Sequence, residues 1–172
     1  MFSGVFVHIF KALQAEFADE LKIISQTYPF EPFQFLEPSL RITFAEGIAL
    51  LREAGVTEEE QGEFDDLSTA VEKKLGNIVK EKFGTDFFMM DKYPLSIRPF
   101  YTMPDPETAH LPPAQQLSNS FDMFMRGQEI VSGAQRVHDH AMLMEVRPQW
   151  EESCCDLARL LLHTRHVQKG SP

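Results

Sequence analysis

Cysteine is nearly absent from this chain. Its 172 residues hold two, Cys154 and Cys155, side by side. Adjacent cysteines rarely bond to each other, and no Cys-x-x-Cys or His/Cys ligand spacing surrounds them. A disulfide framework and a zinc site are therefore excluded, and two reduced thiols in a cytosolic chain are expected. Basic charge is also scarce: 16 Lys and Arg stand against 26 Asp and Glu, a net charge of −10. With no Lys/Arg stripe, a general basic surface for nucleic acid is excluded, although local basic contacts are not. No apolar run reaches the length of a membrane span, so no membrane partner is expected. The apolar start, residues 1 to 10, has no basic leader and no small-residue cleavage site, which points to a cytoplasmic chain. No internal repeat or low-complexity segment is found. What the chain has in quantity is phenylalanine, 15 residues within a 43% hydrophobic composition. That suffices for the core of about one domain.

Apolar periodicity gives the elements. Phe6, Phe10, Leu13, Phe17, Leu21 and Ile24 recur every three to four residues and predict one helix with one buried face. The prolines from Pro29 to Pro38 end it. Thr43-Phe-Ala-Glu46 reads as a capping box opening a second helix to about Ala54, with Gly55 as the stop. Residues 58 to 66 are acidic and read as a solvated loop. Thr69-Ala-Val-Glu72 reads as a second capping box, for a helix with Leu75, Ile78, Val79 and Phe83 on its apolar face and Gly84 at its end. Residues 86 to 90 are strand-like, and a short extended piece surrounds Phe100-Tyr101. Residues 104 to 117, with four prolines, read as a long loop. Helices first and strands after predict an α+β fold with an antiparallel sheet flanked by helices.

The chemistry concentrates in residues 118 to 138. Two strands, 121 to 125 and 129 to 137, are joined at Arg126-Gly127-Gln128. Side chains two apart share a face of a strand, so Ser132 and Arg136 point one way and Glu129 the other. A bulge at Ser132-Gly133 would bring Glu129 and Ser132 to one pocket. Asp122, on the neighbouring strand, would meet Glu129 across the hairpin. Two carboxylates and a hydroxyl suit a hard cation such as Mg²⁺, which takes oxygen ligands and leaves room for phosphates. Arg136 offers a planar fork of donors for a carboxylate or phosphate.

The run Ser118-Asn-Ser-Phe-Asp-Met-Phe, followed by Gly127-Gln-Glu-Ile-Val-Ser-Gly-Ala-Gln-Arg-Val-His138, resembles the aspartyl-tRNA synthetases of the eukaryotic cytosolic and archaeal type. Tyr28-Pro-Phe-Glu-Pro-Phe33, Phe35-Leu-Glu-Pro-Ser-Leu-Arg41, Leu50-Leu-Arg-Glu-Ala-Gly-Val56, Asp91-Lys-Tyr-Pro-Leu95 and Arg98-Pro-Phe-Tyr-Thr-Met-Pro104 fit the same family in order. The likeness covers roughly residues 9 to 139. It implies a partial class II catalytic domain over residues 1–139. The divergent tail over 140–172 has no counterpart in that likeness, and its own residues predict a short helix around Leu157, Leu160 and Leu161. The long loop at 104 to 117 is somewhat extended relative to the family.

The resemblance further implies that Asp122 and Glu129 bind Mg²⁺ and the ATP phosphates, with Ser132 beside the metal and the substrate. It implies that Arg136 pairs with the side-chain carboxylate of L-aspartate, that Gly133 leaves room for the substrate backbone, and that Tyr101 lines the amino-acid pocket. Gln128 stands where an acid is common. The implied reaction is ATP-dependent formation of aspartyl-adenylate and transfer to tRNA(Asp), carried by positioning and charge neutralisation without a nucleophilic side chain. The three signature motifs of the class, including the arginines that grip ATP, are not found intact in these residues. The chain is therefore read as an incomplete, inactive piece of an aspartate–tRNA ligase, with the family's homodimer in doubt. The alternative reading is a non-catalytic protein that binds aspartate or regulates the full enzyme.

Overall fold

The structure is a computed structural model that describes residues 2–63 and 65–144. The leucine helix and the two thiols expected in the tail lie outside the described residues, of which only 140 to 144, a helical stretch, fall after residue 139. The described residues give an α+β arrangement. Helices α1 (Phe2–Glu16) and α2 (Ala18–Thr27) come first, then strand β1 (Leu40–Thr43), helices α3 (Phe44–Glu53) and α4 (Thr69–Phe83), and strands β2 (Phe87–Asp91), β3 (Ser120–Met125) and β4 (Gln128–Ala134). Single 3₁₀ turns lie at Leu95–Ile97 and Pro113–Gln115.

The four strands form one sheet in the order β1-β2-β3-β4. Its β2–β3 and β3–β4 pairs are antiparallel, as expected, while β1 lies parallel to β2, with Leu40 opposite Phe88 and Ile42 opposite Met90. The sheet is thus mostly antiparallel but mixed. On one face, Ile42, Phe88, Met90 and Phe124 pack with Phe44, Ile48 and Leu51 of α3 and Val71, Leu75 and Val79 of α4 in a single core. On the other face, Phe6 and Phe10 of α1 lie over Phe87 at ring distances of 5.7 and 5.2 Å, and Phe2 stacks on Phe121.

Helix caps follow the sequence closely. The Thr43 hydroxyl accepts from the Glu46 amide, and the Glu46 carboxylate accepts from the Thr43 amide, the full capping box. Gly84 closes α4 in the left-handed conformation, φ 67°. At the start of α4 the cap is Ser68, which accepts from the Val71 amide. The expected box at Thr69 is therefore one residue late, because a hydroxyl must stand outside the first turn to reach its amides.

The first helix departs from expectation. It breaks at Phe17 (φ −119°, ψ 29°), and the non-helical residue interrupts the 3.6-residue period. Phe6 and Phe10 face the sheet. Leu13, Phe17 and Ile24 stay 45, 47 and 49% exposed, so the single buried face does not form.

Candidate functional site

The β3–β4 hairpin builds the site. Arg126 and Gly127 both have positive φ, 52° and 70°, and form a two-residue turn between paired Met125 and Gln128. Two left-handed residues match the twist of the flanking strands. Met123 faces Val131 while Phe124 faces Glu129, so Ile130 is an extra residue and the ladder bulges there. The bulge falls before Ser132-Gly133, the position expected, but has the expected effect. Past it, Asp122 pairs with Ser132, and before it Phe124 pairs with Glu129. Asp122, Glu129 and Ser132 therefore share one face.

Helix α4 fixes the hairpin from above. A Cβ on Gly76 would stand 2.4 Å from the Gly127 Cα, and one on Gly127 would stand 2.7 Å from the Lys73 Cα. Backbone meets backbone at that crossing, which only glycine allows. One turn back along α4, Glu72 is thereby brought within the field of Glu129 and Asp122.

Asp122 is buried. Its Oδ2 accepts from Arg98 Nη2 at 2.5 Å, and its Oδ1 is buried without a hydrogen-bond partner. The Arg98 guanidinium lies 3.8 Å above the Tyr93 ring. Burial, followed by the Asp122 charge, pushes the Tyr93 phenol far up, so it stays neutral. Glu129 belongs to an exposed residue, yet crowding of its carboxylate, and then the Asp122 charge, raise its pKa against the weaker pull of Ser132 and Arg98. Glu72 is raised in the same way, by burial first and then by Glu129, Asp66 and Asp122. The face thus holds mutually repelling carboxylates that a cation would relieve.

Whether these residues fit Mg²⁺ is decided by the donors present. All are oxygens, and the unpartnered Asp122 Oδ1 is a buried acceptor lacking a donor. Among the described residues no group of three or more His, Cys, Asp or Glu side chains could cage a metal ion. Mg²⁺ commonly takes one or two carboxylates and completes its shell with phosphates and water, so the set fits.

Past β4 the chain stays extended. The Val137 amide donates to the Tyr101 carbonyl and the Met103 amide to the Gln135 carbonyl, each at 2.8 Å, with Thr102 bridged to Arg136. Arg136 so follows Ser132 and Ala134 on the same side, and its guanidinium stands 5.0 Å over the Tyr101 ring. Both residues are exposed. Gly133 does not join the group. It pairs with Phe121 on the opposite face, where a Cβ would stand 2.5 Å from the Phe121 ring, so packing explains that glycine. Arg98 and Glu72 are the residues that the sequence reading did not select. A cavity of about 620 Å³ lined by Phe44, Ile48, Arg52, Pro94 and Leu117 contains none of the site residues.

The chain is similar to known proteins over most of its length. The family model of the class II tRNA synthetases (D, K and N) matches residues 1–153. The cytoplasmic aspartate–tRNA ligase of Homo sapiens is 58% identical over 139 residues, which are 81% of this chain and 26% of that protein. The cytoplasmic aspartate–tRNA ligase of Caenorhabditis elegans is 49% identical over 168 residues, 98% of this chain and 29% of that protein. Among solved structures, the aspartyl-tRNA synthetase from Entamoeba histolytica superposes with a TM-score of 0.75 and 46% identity over 86% of this chain and 28% of that one. The chain spans about a quarter of the length of these relatives. With the family matched over most of its residues, the chain belongs to the class II tRNA synthetases (D, K and N).

Proposed function

We propose that this chain carries the aspartate- and phosphate-binding hairpin of a cytoplasmic aspartate–tRNA ligase. The observation that carries the reading is the convergence of Asp122, Glu129 and Ser132 on one face of β3–β4, with Arg136 following on the same side. Arg136 receives the side-chain carboxylate of L-aspartate in a bidentate pair, a geometry in which asparagine loses the charge. The Tyr101 ring beneath it orients the guanidinium and lines the amino-acid pocket. Asp122, Glu129 and Ser132 hold Mg²⁺ together with the phosphates of ATP. The bound ion supplies charge neutralisation at those phosphates.

In the ligase reaction the aspartate α-carboxylate attacks the ATP α-phosphorus and pyrophosphate leaves. The terminal ribose hydroxyl of tRNA(Asp) then takes the acyl group and AMP leaves. This chain's residues bind and orient the substrates and move no electrons themselves. They make up about a quarter of the relatives' length, so the complete reaction is assigned only to a polypeptide as long as those relatives. The relatives are named as ligases, which favours this reading over a non-catalytic aspartate binder.

The test is thermal unfolding of the purified chain with a non-hydrolysable aspartyl-adenylate analogue and Mg²⁺. At about a hundred times its dissociation constant, a ligand of the folded state adds about 2.7 kcal/mol. A cooperative upward shift that Arg136→Ala abolishes is expected. A shift that survives Arg136→Ala, or none in the unmodified chain, refutes the assignment.

A further inference from the structure

Arg98 stands outside every role assigned so far, yet its guanidinium donates directly to the site carboxylate Asp122. The backbone delivers it there by local chemistry. A 3₁₀ turn at Leu95–Ile97 is closed by the Arg98 amide donating to the Leu95 carbonyl, 3.1 Å. Pro99 follows and holds Arg98 extended, at φ −112° and ψ 154°. The side chain then runs inward and is only 16% exposed. Its flat guanidinium lies 3.8 Å over Tyr93, which packs in turn on Phe44 at 4.9 Å. Nη2 meets Asp122 Oδ2 at 2.5 Å, and Asp122 is 4% exposed.

Resting on the cation reading above, we propose that Arg98 is a positioning residue for Asp122. By holding Oδ2 it fixes the carboxylate plane and leaves Oδ1, which has no partner of its own, as the oxygen offered to the cation. Three features support this. One oxygen of the carboxylate is taken by the guanidinium, and the other, with the Tyr93 phenol nearby, makes no hydrogen bond of its own. The arginine is clamped between a carboxylate and an aromatic face, so it has little freedom to follow another partner. The clamp needs a planar cation, since an ammonium cannot both lie flat on Tyr93 and donate in the carboxylate plane. Groups that orient a ligating side chain commonly change metal affinity 10- to 100-fold when altered, without touching the metal.

The experiment is Mn²⁺ binding to the full chain, read by electron paramagnetic resonance, with melting of each metal-free protein alongside. Arg98→Lys keeps the charge and removes the planar fork. It is expected to weaken Mn²⁺ by about ten-fold or more while the metal-free melt remains cooperative. Asp122→Asn and Glu129→Gln are expected to weaken it as well. If Arg98→Met leaves a charge buried and does not fold, the neutral pair Arg98→Met with Asp122→Asn removes that charge and tests the fold. An Arg98→Lys protein that binds Mn²⁺ like the unmodified chain overturns the positioning role and leaves the cation reading intact. An unmodified chain that takes up no Mn²⁺ overturns both. Loss confined to Asp122→Asn and Glu129→Gln likewise rejects Arg98.

Discussion

Two arginines of this molecule sit over two tyrosines, in contrasting surroundings. Arg98 lies 3.8 Å over Tyr93, its side chain only 16% exposed, with its charge paired to the buried Asp122. Arg136 lies 5.0 Å over Tyr101, exposed, and Tyr101 is 37% accessible. The same contact, a guanidinium over a ring, is locked into an ion pair in one case and open to solvent in the other. The difference arises in the backbone. Arg98 stands on a turn that points into the core beside a buried strand, whereas Arg136 lies past the end of β4, at an isolated bridge to Thr102. A buried cation must be paired. A cation meant for a ligand's carboxylate must keep its fork free.

The contrast breaks most sharply in stability. Removing one member of a buried ion pair leaves the other unpaired and costs about 3–5 kcal/mol, whereas a surface substitution usually stays within about 0.5 kcal/mol. Arg98→Met is therefore expected to lower the urea midpoint severely and Arg136→Met hardly at all. The double variant Arg98→Met with Asp122→Asn should recover most of the loss. Equal losses from the two single variants would erase the distinction between buried and receptive arginines.

A smaller effect is expected where α4 meets the hairpin. Gly76→Ala drives a methyl onto the Gly127 backbone, 2.4 Å away at its Cα, and neither backbone can yield as a flexible side chain would. Overpacking of this kind costs about 1–3 kcal/mol. The displaced hairpin also moves Glu129 and Asp122 relative to Glu72 of α4. The expected outcome is a lower urea midpoint together with weaker Mn²⁺ binding. A stability loss with unchanged Mn²⁺ binding would show that the crossing holds the fold without setting the site.

These features were unequally legible in the sequence. Thr43 with Glu46, Gly84 and the hairpin turn are local devices written in adjacent residues and were readable as such, although the turn was read as Arg126-Gly127-Gln128 and Gln128 already belongs to β4; the Ser68 cap was missed by one residue. The convergence of Asp122, Glu129 and Ser132 followed from strand alternation plus one bulge. The bulge was misplaced because Gly133 drew attention, whereas that glycine makes room for the Phe121 ring on the other face. Strand β1 escaped because four residues show little period, and its parallel partner β2 lies more than forty residues away. Arg98 escaped for the same reason. An arginine before a proline carries no local mark of burial, and its partner Asp122 is 24 residues on. The break at Phe17 was masked by a perfect apolar period, which records side-chain type and is silent on backbone geometry.

The smallest expected effect tests the receptive pair itself. Tyr101→Leu keeps an apolar support under Arg136 but removes the ring face, and an exposed cation–π contact is worth about 0.5–1 kcal/mol. That converts to about a two- to five-fold loss of affinity for the aspartyl-adenylate analogue, with the metal-free melt unchanged. Added salt sharpens the reading. Exposed charges are screened over about 3 Å at 1 M ionic strength, and buried pairs much less. Analogue affinity should therefore fall in high salt, while the Arg98–Asp122 coupling from the double variant stays nearly constant. If salt weakened both alike, water would reach Arg98 as freely as Arg136, and the two arginine–tyrosine pairs would differ in position only.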